Sequence, residues 1–481
     1  MSKITRRDLI KGMPLGAAAI SLSAGSWSRV LGANEDIRVA VIGFGGRGRD
    51  HISGLGSLPG VRLTALCDVD SKILENTAKR LKEKNPNLET YTDVRKLLES
   101  KNVDAVSIAT PNHWHSLGAI WAIQAGKDVY LEKPISHNVS EGRRVVEFAR
   151  KHKRIVQAGT QSRSSITGIK EAVAWVKAGN LGKIKVSRAL CYKRRDSIGK
   201  VDGPQTVPPE IDYDLWCGPA LKLPLMRKRL HYDWHWVWNT GNGDLGNQGI
   251  HEMDVARWFL GEMALSPRVF SFGGRVGYVD DGETPNTQII IHDYPAAPLI
   301  FEVRGLPAKT GAREMDKYKG ADIGIVIECE GGHVTVPSYS GAAAFDKNGQ
   351  KIKEWRGSSN HYENFIKAVR SRQVSDLNSD VLEGHLSSAL CHTGNISYQL
   401  GKKARTEEIR EKIKSEKGME EAFGRMLEHL AANGVDTNKD QLTLGVPLKM
   451  DPTKEVFKGD KTANKLLTRP YRPGFVVPKK A

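Results

Sequence analysis

A glycine-rich loop directly after a short hydrophobic run constrains the fold more than any other feature of this sequence. The run Ile37–Ile42 is rich in β-branched residues, as a buried strand is, and Gly43-Phe44-Gly45-Gly46-Arg47-Gly48 follows it at once. This string has the spacing G-x-G-x-x-G, whose glycines allow a tight turn and a close approach of the backbone to a pyrophosphate. The loop therefore predicts a strand, a turn and a helix whose first N–H groups bind the phosphates of a dinucleotide.

An acidic residue, Asp68, ends the next predicted strand, Val61–Cys67, about twenty residues after the glycine loop. A carboxylate at this position accepts hydrogen bonds from both ribose hydroxyls of NAD and repels the 2′-phosphate of NADP. The sequence thus favours NAD, and Arg47 and Arg49 leave NADP as the alternative.

Strand-like and helix-like segments alternate up to about residue 161, and strands separated by helical lengths predict a parallel sheet with right-handed crossovers. After the second strand we predict helices over Ser71–Lys84 and Asp93–Ser100, a strand over Val103–Thr110, a helix over His115–Gly126, a strand over Asp128–Leu131, a helix over Val139–Lys151 and a strand over Ile155–Ala158.

Two loops that follow predicted strands carry reactive side chains. They are Thr110-Pro111-Asn112-His113-Trp114-His115 and Glu132-Lys133-Pro134. Ligands of open α/β sheets bind beyond the carboxyl ends of the strands, so both loops are expected at the cofactor. Besides the six loop residues Gly43–Gly48 and Asp68, the expected cofactor contacts are Thr110, Pro111, Asn112, His115, Glu132, Lys133 and Gln161.

Lys133 has two interpretations. It is either a surface lysine in an ion pair or a partly buried ammonium whose lowered pKa lets it act on the reacting hydroxyl. His113 and His115 form an H-x-H pair without a third ligand, so we expect no metal.

Composition excludes several classes of protein. The chain has 481 residues, which suggests two or three domains, and 39% of them are hydrophobic. Its net charge of +17 is spread along the chain without a basic cluster interleaved with aromatic residues, so nucleic acid is not an expected partner. The 5 cysteines are scattered and read as buried thiols rather than a zinc site or a disulfide framework.

The N-terminus resembles a twin-arginine export signal. Thr5-Arg6-Arg7-Asp8-Leu9-Ile10-Lys11 precedes an uncharged stretch over residues 12–28, and Leu31-Gly32-Ala33 offers a cleavage site. The resemblance implies recognition by the Tat export machinery and a periplasmic location. An uncleaved anchor and a basic disordered N-terminus are the alternatives.

The glycine loop, Asp68, the Thr110–His115 loop and Glu132-Lys133-Pro134 together resemble the Gfo/Idh/MocA family of oxidoreductases, over roughly residues 37–400. The resemblance implies an α/β fold with an N-terminal Rossmann parallel sheet and a C-terminal α+β domain built on an open, mostly antiparallel sheet. Hydrophobic runs at Ile184–Tyr192, Val269–Val276, Thr287–His292, Leu299–Arg304 and Ile323–Glu328 agree with the second sheet.

These features suggest four segments. They are a signal over residues 1–33, the NAD(P)-binding domain over 34–161, the substrate domain over 162–400 and a helical extension and arm over 401–481. Within the extension we predict helices over Thr406–Lys417 and Glu420–Ala432. The extension either packs on the body or embraces a neighbouring subunit of an expected homo-oligomer.

The third family motif implies a catalytic histidine, and His251 occupies its position. Asn247 stands where the family has aspartate, so it can orient a hydroxyl but cannot support an imidazolium electrostatically. Asp244 or Glu252 could compensate. Upstream, Tyr232–Asn239 is rich in tryptophan, which suggests either core packing or sugar stacking. The candidate substrate contacts are Arg163, Asp233, His235, Trp236, Trp238, Asn239 and Asp244, with Tyr192 and Lys193 as weaker ones.

Together these features predict an exported NAD(P)-dependent oxidoreductase that acts on a secondary CH–OH of a sugar, polyol or glycoside and carries a tightly bound NAD. Lys133, His251 and Asn247 are its candidate catalytic residues. A redox-neutral NAD-dependent glycosidase is the enzymatic alternative. A non-catalytic nucleotide- or sugar-binding module is the alternative from another class.

Overall fold

The hydrophobic run after Asp36 forms the central strand of the first sheet in the computed structural model, which describes residues 36–416, 418–439 and 441–481. This six-stranded sheet is parallel throughout and has the order β3-β2-β1-β4-β5-β6. Its strands are β1 Ile37–Ile42, β2 Val61–Cys67, β3 Glu89–Tyr91, β4 Ala105–Ile108, β5 Asp128–Leu131 and β6 Val156–Ala158. The predicted export signal lies outside the described residues.

We call residues 36–161, which contain this sheet, the first half, and the rest of the described chain the second half. The helices of the first half begin close to their predicted positions. They are α1 Gly48–Gly56, α2 Ser71–Lys82, α3 Val94–Glu99, α4 Asn112–Gln124 and α5 Val139–Lys151. Asp70 and Asn138 cap α2 and α5, because their side chains accept the otherwise unpaired N–H groups of Ile73 and Glu141. Since β1 pairs with both β2 and β4, the strand order reverses beside β1, and a crevice opens there at the carboxyl ends of the strands.

The second sheet is mostly antiparallel and has the order β14-β13-β12-β11-β7-β10-β9-β8-β16-β15, with β7 and β10 as its parallel pair. Its strands are β7 Ile184–Tyr192, β8 Arg268–Gly274, β9 Thr287–His292, β10 Leu299–Arg304, β11 Ile323–Cys329, β12 Gly332–Val336, β13 Gly341–Asp346, β14 Lys351–Arg356, β15 Lys402–Ala404, β16 Leu442–Leu444, β17 Leu448–Asp451 and β18 Val456–Phe457. The predicted α/β class, with a parallel sheet followed by a mostly antiparallel one, is confirmed.

Helices join the two sheets. Past β6 they are α6 Glu171–Lys177, α7 Tyr213–Cys217, α8 Gly243–Asn247, α9 Gly249–Leu260, α10 His361–Ser371, α11 Val381–Gln399, α12 Thr406–Ile413, α13 Met419–Ala432 and α14 Lys461–Lys465, with short 3-10 or π turns at Gln161–Ser164, Ile166–Lys170, Asp233–Trp236 and Val374–Asp376. Helix α11 is buried along most of its length, and its Ser388 hydroxyl accepts the N–H of Ile135 in the first half at 3.1 Å. In the part of the chain that the structure describes, no helix combines the length and the apolar character needed to cross a membrane.

Residues beyond 401 differ from the predicted helical extension. Both predicted helices are present as α12 and α13, but β15 to β18 also form, and β16 and β17 pair with β8 and extend the sheet beyond it. These four strands are only two to four residues long, which is too short for a strand pattern to be visible in the sequence. The limits of the four predicted segments remain predictions.

Residues 468–481 form an arm that runs back across the first half. Arg472 donates to the carboxylate of Asp214 at 2.5 Å, and Phe475 packs edge-on against Trp114 with ring centres 5.7 Å apart. Phe475 and Val477 are buried in the hydrophobic core of the first sheet. The arm thus completes the core of the cofactor half.

Replacing Phe475 by alanine tests this contribution. We expect Phe475→Ala to lower the free energy of unfolding by about 3–5 kcal/mol, because it leaves a cavity between Trp114 and Trp121. The measurement is urea unfolding followed by tryptophan fluorescence. Val476→Ala is the matched control, since Val476 is 50% exposed. Equal effects of the two substitutions would show that the arm is not part of the core.

Candidate active site

A cleft of about 550 Å³ opens at the carboxyl ends of the first sheet's strands. One wall is formed by the glycine loop, the end of β2 and the loops after β4 and β5. Segments of the second half form the other wall: Lys193, Leu215 and Trp216, the stretch His231–His235, the junction of α8 and α9, and Tyr339. A cleft that joins a dinucleotide loop to a second domain is where a cofactor and its substrate meet.

The glycine loop is shaped for a close approach of phosphate. Gly43 has φ +77°, and a Cβ on Gly48 would lie 2.0 Å from the carbonyl oxygen of Gly43, so neither position has room for a side chain. A Cβ on Gly46 would meet no atom within 4 Å, which shows bare backbone facing the cleft. Gly43, Gly45, Gly46 and Arg47 line the cleft, whereas Phe44 and Gly48 lie beneath it.

Asp68 is held at the mouth of the same cleft. Its carboxylate accepts the backbone N–H of Phe44 at 2.9 Å and that of Asp70 at 3.1 Å, which fixes it against the glycine loop. Burial raises the pKa of Asp68, and these two hydrogen bonds oppose that rise. Arg47 binds the carboxylates of Asp50 and Glu132 rather than lying free for a 2′-phosphate. The bare glycine backbone and the fixed carboxylate fit NAD.

His115 ties the two reactive loops together. Its Nδ1 and Nε2 atoms lie 2.6 Å and 2.7 Å from the carbonyl oxygens of Pro134 and Thr110, and its burial lowers its pKa. Asn112 donates to the side chain of Asn242 at 3.0 Å and so links the first loop to the second half. Both residues line the cleft together with Thr110 and Pro111.

Glu132 is buried at the centre of a polar network. Its carboxylate contacts His51 at 3.1 Å, Gln161 at 3.2 Å and Arg47 at 3.4 Å. Burial alone would raise its pKa, but the hydrogen bond from His51 and the nearby positive charges hold the pKa of Glu132 well below its usual range. Glu132 and Gln161 also line the cleft.

Lys133 points from the first half toward the second. Its Nζ donates to the backbone oxygen of Asn247 at 2.7 Å, and burial lowers the pKa of its ammonium, although the charge of Glu132 opposes that shift. Lys133 is therefore a partly buried lysine that lines the cleft and bonds to a backbone oxygen, rather than a surface lysine in an ion pair.

His251 faces Lys133 from α9. Burial and the charge of Lys133 lower its pKa to about 3, so the imidazole is neutral at neutral pH. Its Nδ1 is buried without a hydrogen-bond partner, and its ring centre lies 5.0 Å from that of Tyr339. Asn247 also lines the cleft, but α8 ends there and α9 begins at Gly249, so Asn247 and His251 do not lie on one uninterrupted helix.

The two carboxylates that could have compensated for Asn247 do not bond to His251. Asp244 pairs with Arg195 at 2.7 Å. Glu252 accepts a hydrogen bond from Gln248 at 3.0 Å, and burial raises its pKa to about 8. Among the residues that the structure describes, no carboxylate therefore bonds to the imidazole of His251.

Of the predicted substrate contacts, His235 lines the cleft, stacked on Trp234 with ring centres 3.6 Å apart. The others do not line the cleft and contact other residues, so their role in substrate binding remains a prediction. Three of them form ion pairs: Asp233 with Arg229, Arg163 with Asp254 and Glu383, and Asp244 with Arg195. Trp236 is buried beside Arg195, and the backbone N–H of Trp238 donates to Glu283. The side chain of Asn239 bonds to Leu221 and Arg469.

Tyr192 is likewise turned away, since its hydroxyl donates to Glu302 at 2.6 Å. Trp234, from the tryptophan-rich stretch, lines the cleft, and sequence reasoning did not identify Trp216, Gln248 or Tyr339, which also line it. Gln248 lies inside the motif that contains His251 and could have been noticed. Tyr339 lies in a loop between β12 and β13 that carries no recognisable signal.

Gly48→Ala tests whether the loop's close packing is needed for the cofactor. The added Cβ forces the loop to shift, so we expect NAD binding to weaken about tenfold or more, as the 1–3 kcal/mol cost of overpacking implies. Calorimetry on cofactor-free protein measures the change. Gly56→Ala in the same helix is the control, because a Cβ there meets nothing within 4 Å. Unchanged NAD affinity in Gly48→Ala would argue against this role.

Comparison with known protein families matches both halves. Residues 37–160 match the NAD-binding Rossmann fold of the GFO_IDH_MocA oxidoreductase family, and residues 163–276 match that family's C-terminal alpha/beta domain.

Individual relatives match over shorter segments. A glycosyl hydrolase family 109 protein of Solibacter usitatus is 35% identical over 154 residues, which are 29% of this chain and 35% of that protein. An alpha-N-acetylgalactosaminidase of Shewanella oneidensis is 33% identical over 24% of this chain and 26% of its own length. An inositol 2-dehydrogenase/D-chiro-inositol 3-dehydrogenase of Shouchella clausii is 35% identical over 26% of this chain and 36% of its length. The matches thus span about a quarter to a third of these relatives.

Solved structures agree in fold. An oxidoreductase domain protein from Kribbella flavida covers 75% of this chain and 96% of its own, with a TM-score of 0.56 and 18% identity. The WlbA dehydrogenase from Bordetella pertussis, solved with NADH and UDP-GlcNAcA, covers 74% of this chain and 94% of its own, with a TM-score of 0.54 and 20% identity. Through residues 37–276 the chain therefore belongs to the Gfo/Idh/MocA family of oxidoreductases, and residues 37–160 form an NAD-binding Rossmann domain.

Proposed function

We propose that this protein oxidises a secondary CH–OH group of a sugar, polyol or glycoside, with a tightly held NAD as the oxidant. The observation that carries the proposal is that a partly buried lysine, Lys133, and a neutral histidine, His251, line the same cleft. The glycine loop and Asp68 line that cleft as well. A binding module has no need for two proton-transfer groups in that position.

Lys133 and His251 divide the work on the substrate hydroxyl. Bound NAD supplies the acceptor for the hydride that leaves the carbinol carbon. His251, held neutral by burial, offers a ring nitrogen that accepts a hydrogen bond from the hydroxyl. An imidazolium there would face Lys133 with no carboxylate to support it, so the proton comes to rest on Nζ of Lys133 in its amine form. Oxidation should accordingly speed up as pH rises through the pKa of Lys133, which burial places below the usual lysine value.

A redox-neutral glycosidase is the second candidate, and the similarity of 29% of this chain to a glycosyl hydrolase family 109 protein and of 24% to an alpha-N-acetylgalactosaminidase favours it. In such a reaction C3 would lose hydride to bound NAD, the resulting ketone acidifies the C2 proton, a base removes that proton, and the glycosidic oxygen leaves C1 as an alcohol. Water then adds across the C1–C2 double bond, and the C3 carbinol would be restored by hydride from the NADH so formed, with no net oxidation. Lys133 in its amine form is the base that the cleft offers for this step, since an imidazolium at His251 would lack a carboxylate partner.

Absorbance at 340 nm separates the candidates. The purified protein is mixed with sugars and p-nitrophenyl glycosides without added NAD. Stoichiometric, lasting growth of bound NADH supports a dehydrogenase that needs a second substrate. Release of nitrophenol without net NADH supports the glycosidase. Nucleotide binding without either signal would favour a non-catalytic module.

Lys133→Met tests the assignment of the proton acceptor. We expect turnover to fall by about a hundredfold to ten-thousandfold, the usual loss when a general acid–base group is removed. NAD affinity and melting temperature should change little, because methionine fills a similar volume. Lys151→Met, on the exposed side of α5, is the control. A fully active Lys133→Met enzyme would refute the assignment.

Export by the twin-arginine route is also part of the proposal, supported by the Arg6-Arg7 pattern alone. NAD is a cytoplasmic metabolite, so a protein exported after folding would carry its cofactor with it. We expect the double substitution Arg6→Lys and Arg7→Lys to leave the protein in the cytoplasm, as judged by cell fractionation. Arg29→Lys is the control outside the motif. Periplasmic protein in both variants would contradict this route.

A further inference from the structure

Lys193 is a cation in the cleft without a carboxylate partner among the described residues. It follows β7, the central strand of the second sheet, and its Nζ donates to the side-chain oxygen of Gln248 at 2.8 Å. Its neighbour Arg195 shows the contrasting arrangement, since Asp244 neutralises it through two hydrogen bonds. The ammonium of Lys193 thus keeps its full charge and two of its three N–H donors for the cleft.

Gln248 links this ammonium to a second donor. Its amide nitrogen donates to the hydroxyl oxygen of Tyr339 at 2.8 Å, so the hydroxyl hydrogen of Tyr339 remains available. The ammonium of Lys193 and the hydroxyl of Tyr339 thus each lie 2.8 Å from the same side-chain amide, one at its oxygen and one at its nitrogen. We call Lys193, Gln248 and Tyr339 the donor cluster.

Among the described residues, no ion pair joins a carboxylate to the donor cluster. The amide of Gln248 also donates to Glu252, but burial keeps that carboxyl largely protonated at neutral pH. The second cleft lysine, Lys133, donates to a backbone oxygen. Glu132, the carboxylate on that side, is already bonded to His51 and Arg47. The substrate end of the cleft is therefore rich in donors and positively charged.

The donor cluster also has a surface on which a sugar can lie. The ring of Tyr339 is 45% exposed and borders His251, and the stacked pair Trp234 and His235 lines the same cleft. Aromatic faces of this kind pack against the apolar face of a pyranose.

From this geometry we infer that the donor cluster is a carboxylate subsite and that the substrate is an acidic sugar of the uronate class. An ionised carboxylate accepts hydrogen bonds without donating any and carries the charge that attracts an ammonium, so it matches a subsite whose available donors belong to an ammonium and a hydroxyl. The inference rests on the proposed function for the sugar itself. It adds that a negative charge on the sugar is recognised by Lys193 and Tyr339.

Binding to the NADH-loaded enzyme tests the subsite without requiring turnover. The probes are two matched pairs that differ in one carboxylate: methyl β-D-glucuronide with methyl β-D-glucoside, and methyl α-D-galacturonide with methyl α-D-galactoside. Calorimetry should show at least one uronide bound about tenfold or more tightly than its neutral partner, as one charge-assisted pair implies. The preference should shrink as salt is raised.

Substitutions locate the preference. Lys193→Met should remove it, with a loss of about tenfold to a hundredfold in uronide affinity and little change for the neutral sugar. Lys193→Arg should restore part of it, and Tyr339→Phe should weaken it severalfold. Lys185→Met is the matched control, since it removes the same charge from an exposed position on the same strand, β7.

Three results would overturn the subsite: equal affinity for both members of each pair, an undiminished preference in Lys193→Met, or no binding of either member to enzyme that holds NADH. NADH binding is measured first and judges the proposed function separately. Turnover of neutral sugars without a preference for uronides would leave the oxidoreductase proposal intact and remove only the subsite.

Discussion

The buried carboxylate of Glu132 is the contact on which the geometry of the cleft depends. An ionised group in the core is tolerated only when several partners surround it. Its partners come from three separate places: Arg47 in the glycine loop, His51 in α1 and Gln161 after β6. His51 in turn contacts Ser107 on β4 at 2.6 Å. The contacts that stabilise the Glu132 carboxylate thus hold the glycine loop, α1 and Gln161 together, beside Lys133.

The second half is joined to this unit through polar contacts at the junction of α8 and α9. Lys133 donates to Asn247 across the cleft, while Gln248 gathers Lys193, Glu252 and Tyr339 around one amide. Two neighbouring backbone positions therefore control both the acid–base lysine and the donor cluster. Asn247, where the resemblance led us to expect an aspartate, keeps this junction uncharged.

The cofactor side of the cleft could be predicted from the sequence, because each of its parts is a short contiguous motif at the end of a hydrophobic strand. Asp68 and the Glu132-Lys133 turn are examples. The substrate side could not be predicted in the same way, since Lys193 and Tyr339 meet only through the pairing of distant strands. In Asp233–Trp236 a 3-10 turn directs Asp233 to Arg229 and leaves Trp234 and His235 at the cleft. Strands β15 to β18 are too short for their periodicity to be visible.

The packing of Phe475 on Trp114 also bears on how the chain folds. Trp114 lies in the first turn of α4, next to the cleft, and Phe475 follows it far along the chain. Contacts between residues so far apart in sequence form late and slow the search for the native state. The core around Trp114 and Trp121 is therefore complete only once residues 468–481 have folded onto it. During synthesis this apolar surface is made before the residues that cover it, and exposed apolar surface of this kind favours aggregation.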